Sequence, residues 1–136
     1  MANIANYLEE AVLGHVLKNT SYTSPATVYC GLITSSASDV SLESGTLTNE
    51  ITAYTGNRKP ITFGTISQAG GKATVTNSAA IEFENMPAAT VAYAVICDAD
   101  TGGNILFWAP LTGGNKTTNS GDTFRIPAAG LTVDLD

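Results

Sequence analysis

The hydrophobic periodicity of this chain changes once, from about 3.6 residues near the start to two in almost everything that follows. After Pro25, apolar side chains recur in short runs separated by segments rich in Gly, Asn, Asp and Ser. About eight such runs follow at intervals of roughly 8 to 12 residues, a spacing typical of an antiparallel sandwich or small barrel. We therefore predict a mainly β fold: one antiparallel β-sandwich or jelly-roll-like domain over residues 1–136, with one N-terminal α-helix.

The N-terminal helix is predicted over residues 6–18 because its apolar positions share one helical face: Leu8, Ala11, Val12, His15 and Val16. Asn6 is expected to cap its start with Glu9 three residues later, and Asn19 to end it in a left-handed conformation. The apolar face of an amphipathic helix normally packs against another apolar surface. We expect it either to lie across one open end of the sandwich or to face outward as a docking element.

The strands are predicted where alternation or an apolar run is strongest: 27–34, 59–63, 72–77, 81–84, 90–98, 105–111, 123–126 and 131–135. Residues 90–98 are apolar on both faces, which is typical of the centre of a packed sheet. Pro60 cannot donate to a ladder, so its strand is expected at an edge or to start late. In the last strand, Leu131, Val133 and Leu135 are expected to point inward.

Residues 35–49 are rich in Ser and Thr and hold few large apolar side chains. They predict a long exposed loop. A loop of this length in a compact domain is usually functional or mobile.

Charge excludes several classes of partner. The chain carries 6 basic and 12 acidic side chains, a net charge of −6, and Arg58 and Lys59 are its one adjacent basic pair. Nucleic acids and anionic membranes both need a basic surface, so we expect neither as a partner. The start of the chain lacks a basic region followed by an apolar run, so no signal peptide is expected.

The inventory of reactive side chains argues against catalysis, and we predict no catalytic residues and no cofactor. The chain has one histidine, His15, which falls on the apolar helix face and has no evident nucleophile to serve. Cys30 and Cys97 each lie inside an apolar run. They are expected to be buried free thiols of a reducing compartment, although spacing alone leaves a disulfide open.

The remaining chemical candidate is the segment from Asp98 to Asn104. Asp98 and Asp100, followed by Gly102, resemble the start of a calcium loop and are the candidate metal ligands. Gly102 comes one position before the place of the calcium loop's glycine, however, and Ala109 stands where a calcium loop has Glu. We therefore favour a hairpin turn and keep a calcium- or glycan-binding module as a third hypothesis.

The order and spacing of several segments resemble a family of small virion proteins of tailed bacteriophages. The segments are ANYLEEAVLGHVL, TSYTSPATVYCGL, RKPITFG, NSAAIEF, AYAVICDADTGGNILFWAPL and NSGDTFRIPAAGLTVDLD. Members are described as tail fibre or structural proteins, and some act as capsid cement or decoration proteins. The resemblance implies a β-sandwich-like fold, no enzymatic activity and a location in the virion, assembled in the host bacterial cytoplasm.

On this basis the expected function is that of a capsid cement or decoration protein that binds and stabilises the outer surface of the assembled head. Its partners would be the major capsid protein or other virion proteins, and it would form a homo-oligomer, a trimer or dimer. The alternative is a tail fibre or tail tip component with a host-receptor role, in which residues 35–49 would face the host. Since Tyr and Trp are enriched at interface hot spots, the candidate contact residues are Tyr7, Tyr22, Tyr54 and Trp108.

Overall fold

A computed structural model describes residues 2–136 and confirms the mainly β class, with 42% of residues in strands and 13% in helices. In chain order the elements are β1 (Asn3–Ile4), α1 (Asn6–Leu17), β2 (Val28–Thr34), α2 (Asp39–Glu43), β3 (Glu50–Ile51), β4 (Lys59–Ile61), β5 (Ser67–Ala69), β6 (Lys72–Thr76), β7 (Ile81–Met86), β8 (Ala89–Cys97), β9 (Ile105–Pro110), β10 (Lys116–Thr118), β11 (Asp122–Ile126) and β12 (Thr132–Leu135). All eight predicted strands are present within this range. The four additional strands, β1, β3, β5 and β10, are only two or three residues long.

The central sheet has the strand order β1-β9-β8-β2-β3, with β10 also paired to β8 and β4 also paired to β2. Its pairs are all antiparallel. As predicted, the strand with apolar residues on both faces lies at the centre: β8 pairs with both β2 and β9. The strand containing Pro60 pairs with β2 and lies at an edge, which confirms the expectation from its missing N–H.

Two small sheets, β11-β7 and β12-β6-β5, complete the sandwich. The main core forms where their side chains meet those of the central sheet: Cys30, Leu32, Ile96, Phe83, Met86 and Val133 are among its buried members. The opposite face of the central sheet carries a second cluster that contains Ile33, Val95, Cys97 and Trp108. That second cluster is covered by Ala5, just before α1, and by Leu42 of α2.

The N-cap residue of α1 differs from the predicted one. Asn6 is the first residue of the helix and not its cap, and Ala5 occupies the cap position without any side-chain hydrogen bond. The reason lies in the preceding strand: β1 pairs with β9, and the Ala5 N–H donates to the Leu106 carbonyl. The chain therefore enters the helix directly from the sheet. The predicted left-handed residue after the helix, Asn19, is confirmed by its φ of 54°.

The prediction of one long exposed loop over residues 35–49 is wrong in its middle. Residues Asp39–Glu43 form α2, which begins with reciprocal hydrogen bonds between Ser38 and Ser41. Leu42 is completely buried in the second cluster. A Ser-rich segment with a single well-placed leucine is enough to dock a short helix, because the capping serines satisfy the first backbone donors.

The prediction for the last strand is wrong at its final apolar residue, Leu135. Leu131 and Val133 point into the main core as predicted, but Leu135 is 53% exposed. Asp134 lies beside it and accepts a hydrogen bond from the Lys72 ammonium at 2.8 Å. The inward alternation therefore ends at Val133, two residues before the predicted end.

Candidate interaction surface

The first unusual surface is formed by four aliphatic side chains of α1. Val12, Leu13, Val16 and Leu17 are 41%, 58%, 69% and 72% exposed, and we call them the helix stripe. Their spacing places them side by side on one face of the helix. Val12, His15 and Val16, which the periodicity placed on one apolar face with Leu8, are all exposed, so of the two expected placements this face does not lie across the sandwich.

The attachment of α1 explains why the stripe is uncovered. Of the twelve α1 residues, all of them described, only Leu8 is buried. The last turns of α1 form hydrogen bonds only with the segment that directly follows the helix, as far as the described side-chain and loop contacts go. The Thr20 N–H donates to the Gly14 carbonyl, and the Tyr22 N–H donates to His15 Nδ1 at 3.3 Å. The helix is thus anchored at its first turn, and most side chains of its second half are exposed. Four neighbouring exposed aliphatic side chains form an apolar patch, which makes this face of the helix a candidate contact surface.

The second surface is a groove between the central sheet and the β12-β6-β5 sheet. It encloses about 320 Å³ and its lining includes Val28, Phe63, Ile66, Phe107, Val133 and Leu135; we call it the apolar groove. Among the described lining residues the one polar side chain is Thr74, and none is ionisable. Ile66 and Leu135 are 70% and 53% exposed, so apolar atoms continue from the groove onto the open surface.

The four candidate contact aromatics lie in different environments. Tyr7 is 43% exposed on α1. Tyr22 is partly exposed; burial raises its pKa, and the nearby Tyr7 and Asp98 raise it further. Tyr54 packs edge-to-face on Phe83 in the main core, with ring centroids 5.0 Å apart.

Trp108 lies in the second cluster, where its indole Nε1 donates to Glu43 of α2 at 2.7 Å. Tyr54 and Trp108 are only 8% and 6% exposed, so they offer a partner little surface. An interface role for the four remains a prediction, and Tyr7 has the most surface available for one. Sequence reasoning placed Val12 and Val16 on an apolar helix face but did not single out Leu13, Leu17 or the groove residues. Apolar periodicity alone predicts burial, and only the assembled fold shows which apolar residues stay uncovered.

The two candidate metal ligands are engaged in hydrogen bonds within and around their turn. Asp98 accepts from the Asn104 backbone N–H at 2.7 Å and from its side-chain amide at 2.9 Å. Asp100 accepts from the Asn57 amide at 3.1 Å. Gly102 and Gly103 adopt positive φ, as a tight hairpin requires. Across residues 2–136, no three His, Cys, Asp or Glu side chains come together in a group that could hold a metal ion.

The two cysteines are free and fully buried, which confirms the prediction of buried thiols. Cys30 belongs to the main core and Cys97 to the second cluster, so they lie on opposite faces of the central sheet. Burial raises the pKa of each thiol to about 12. Thiols of this kind pack as small apolar groups and are poor nucleophiles.

These features define a β-rich protein with two exposed apolar surfaces. His15 accepts its hydrogen bond from a backbone N–H and not from a nucleophilic hydroxyl or thiol. Neither helix in the described part of the chain is long and apolar enough to cross a membrane.

Comparison with known families identifies the class more closely. A family model described as Podophage GP4 fiber I protein gp80 matches residues 3–134. The chain belongs to this family and is a structural protein of a phage virion. The match confirms the resemblance of the sequence segments to a family of phage virion structural proteins. A search of curated proteins returned no match.

Proposed function

We propose that this protein is a fibre component of a phage virion that works, without catalysis, by binding other virion proteins. The observation that carries the proposal is the family match over residues 3–134, since the family is described by a podophage fibre protein. It supports the tail fibre alternative over the capsid cement function that the sequence suggested first. The fold agrees with this proposal because the helix stripe and the apolar groove are surfaces suited to protein contacts.

The charge of the chain supports protein partners. A net charge of −6 disfavours contacts with phosphates, which need a basic surface. We also propose that residues 1–136 fold as one domain, because strands β2, β8 and β9 contribute side chains to both clusters. A protein that shares its central strands between both cores unfolds as a unit.

Locating the protein in intact particles tests the proposal. Purified virions are decorated with gold-labelled antibody fragments raised against the chain, and the copies per particle are counted by quantitative mass spectrometry. We expect the label on fibres and a copy number far below that of the major capsid protein. Label spread over the head, with hundreds of copies, would identify a capsid decoration protein and overturn the fibre assignment.

A further inference from the structure

We propose that a small cavity between the β3–β4 loop and the β8–β9 turn binds neighbouring hydroxyl groups of a neutral sugar. The cavity encloses about 110 Å³, and we call it the polar cavity. Its floor is formed by Glu50 and Arg58, whose side chains are 9% and 2% exposed, and by Tyr54. Its rim is exposed and includes Thr52, Asn57, Asp100 and Thr101. The inference goes beyond the fibre function and does not depend on it, because it rests on the hydrogen-bonding groups of this cavity.

The guanidinium of Arg58 keeps one donor without a partner in the protein. Of its five N–H groups, two bond the Glu50 carboxylate, at 2.6 and 2.8 Å. Two more bond the carbonyls of Ala99 and Gly102, each at 2.7 Å. The second N–H of Nη2 has no acceptor among residues 2–136. Because four bonds fix the plane of the guanidinium, this donor can meet a ligand in the polar cavity without rearrangement.

The hydroxyl of Tyr54 is the second group without a partner. Tyr54 is only 8% exposed, and its hydroxyl makes no hydrogen bond with residues 2–136. Solvent nevertheless reaches this oxygen, since the one sealed and unpartnered polar side-chain atom of the described residues is Asp134 Oδ1. Tyr54 lines the polar cavity, so its hydroxyl is open to a ligand there. Burial first and the Glu50 carboxylate second raise the pKa of Tyr54 to about 12, so the hydroxyl keeps its proton and both donates and accepts.

The charges around the polar cavity favour a neutral ligand. Glu50 and Arg58 neutralise each other, so the floor carries no net charge. An anion would meet the exposed Asp100 carboxylate at the rim. A cation would meet Arg58 and the ammonium of Lys59, which lies 5.4 Å from the centroid of the Tyr54 ring. An uncharged ligand avoids both repulsions.

The size of the polar cavity and its unpartnered groups favour the edge of a sugar. An apolar cavity of about 150 Å³ takes up a benzene molecule, so 110 Å³ holds less than a whole six-membered ring. Solvent in a polar site is displaced without loss of hydrogen bonds only by groups that reproduce those bonds. Hydroxyl groups do so because they donate and accept as water does, and a sugar carries them on neighbouring carbons. The hydroxyls of Thr52 and Thr101 can bond the part of the ring that stays at the rim.

Binding of three methyl glycosides to the full chain tests the inference. Methyl α-glucoside carries its neighbouring ring hydroxyls in trans arrangement, and the galactoside and mannoside each add a cis pair, so the three cover both geometries. We expect at least one of them to shift the backbone amide signals of Gly56, Asn57 and Gly102 saturably in NMR spectra. Because only a few neutral hydrogen bonds form, the dissociation constant should be in the millimolar range. No saturable shift with any of the three up to about 100 mM would overturn the inference.

A pair of tyrosine variants places the sugar in the polar cavity. Tyr54→Phe removes the hydroxyl alone and should weaken binding about three- to tenfold, the loss of one neutral hydrogen bond. It should melt no lower than the wild-type chain at neutral pH, because the lost hydroxyl has no partner in the described protein. Tyr93→Phe is the matched control, since the Tyr93 hydroxyl donates to Asp39 at 3.1 Å outside the cavity. Unchanged binding by Tyr54→Phe, or equal weakening by both variants, would show that the sugar does not use this cavity.

Charged probes separate recognition of hydroxyl groups from recognition of charge. Glucuronic acid and glucosamine keep neighbouring hydroxyls of glucose and add a negative and a positive charge. We expect neither to bind more tightly than methyl α-glucoside. The affinity of the neutral glycosides should be the same in about 50 mM and about 500 mM NaCl, because salt screens charges only. A tenfold preference for either charged probe, or a saturable shift of the same amide signals by calcium alone, would identify an ion site and overturn the inference.

Discussion

Arg58 and Glu50 form a bidentate ion pair inside the protein, with Nε to Oε2 at 2.6 Å and Nη2 to Oε1 at 2.8 Å. Arg58 is only 4% exposed, and its Nη1 donates to the carbonyls of Ala99 and Gly102. One side chain therefore joins β3 to the turn between β8 and β9. Breaking a buried pair of this kind leaves a charge without a partner, which is the main energetic cost.

The first prediction follows from that arrangement. Arg58→Met should lower the free energy of unfolding by about 3–5 kcal/mol, because the Glu50 carboxylate would stay buried and unpaired. Urea unfolding followed by the fluorescence of Trp108 measures the loss. Arg125→Met is the matched control: Arg125 pairs with Glu82 at 3.1 Å, but both side chains are at least half exposed. Its loss should be about 0–1 kcal/mol. Equal losses for the two variants would show that burial does not set the strength of the Arg58 pair.

How much of the fold the sequence predicts depends on the range of the interactions involved. The strands were predictable because alternation is a local pattern, and Pro60 indicated its edge position through its own missing donor. The burial of Arg58 was not predictable, since its acceptors come from Glu50 and from carbonyls more than forty residues away. The sequence left the placement of α1 open for the same reason: its amphipathic pattern is local, but only its attachment at Leu8 decides that Val16 stays exposed.

The second prediction concerns the short helix inside the segment that was expected to be a loop. Leu42→Ala should cost about 2–5 kcal/mol, because Leu42 is fully buried in the second cluster and its removal leaves a cavity. Val40→Ala, two residues away and 79% exposed, should change the free energy of unfolding by less than about 0.5 kcal/mol. Denaturant unfolding of both variants makes the comparison. A negligible effect of Leu42→Ala would mean that α2 is not docked in solution.

The third prediction is a loss of stability in alkaline solution. Burial raises the pKa of Cys30 and of Cys97 from 9.0 to about 12, so both thiols stay protonated in the folded protein when the unfolded chain has already ionised. Their contribution is fully present below about pH 9 and is lost as the pH rises toward 12, by up to about 1.4 kcal/mol per pH unit for each thiol. Tyr54 should add to the loss above pH 10, because burial foremost and then Glu50 raise its pKa from 10.0 to about 12.

Unfolding curves between about pH 8 and pH 10.5 test this slope. Cys30→Ala, Cys97→Ala and Tyr54→Phe should each reduce it, and the two thiols should react with a disulfide reagent only after denaturant is added. A stability that stays constant over this range, or thiols that react in the native protein, would contradict the burial of both cysteines.

The last prediction decides whether the turn from Asp98 to Asn104 is held by hydrogen bonds or by an ion. Asp98→Ala removes both acceptors of Asn104, so it should lower the free energy of unfolding by about 1–2 kcal/mol in calcium-free buffer. Asp122→Ala is the control, since Asp122 accepts a similar bond from the Asn119 N–H at 2.7 Å in another turn. A resident calcium ion would instead stabilise the wild-type chain by about 2.7 kcal/mol at a hundredfold excess over its dissociation constant. We expect no shift of the melting temperature on adding calcium or a chelator. A shift that disappears in Asp98→Ala but survives in Asp122→Ala would establish an ion site, because a general effect of calcium on an acidic chain would act on both variants alike.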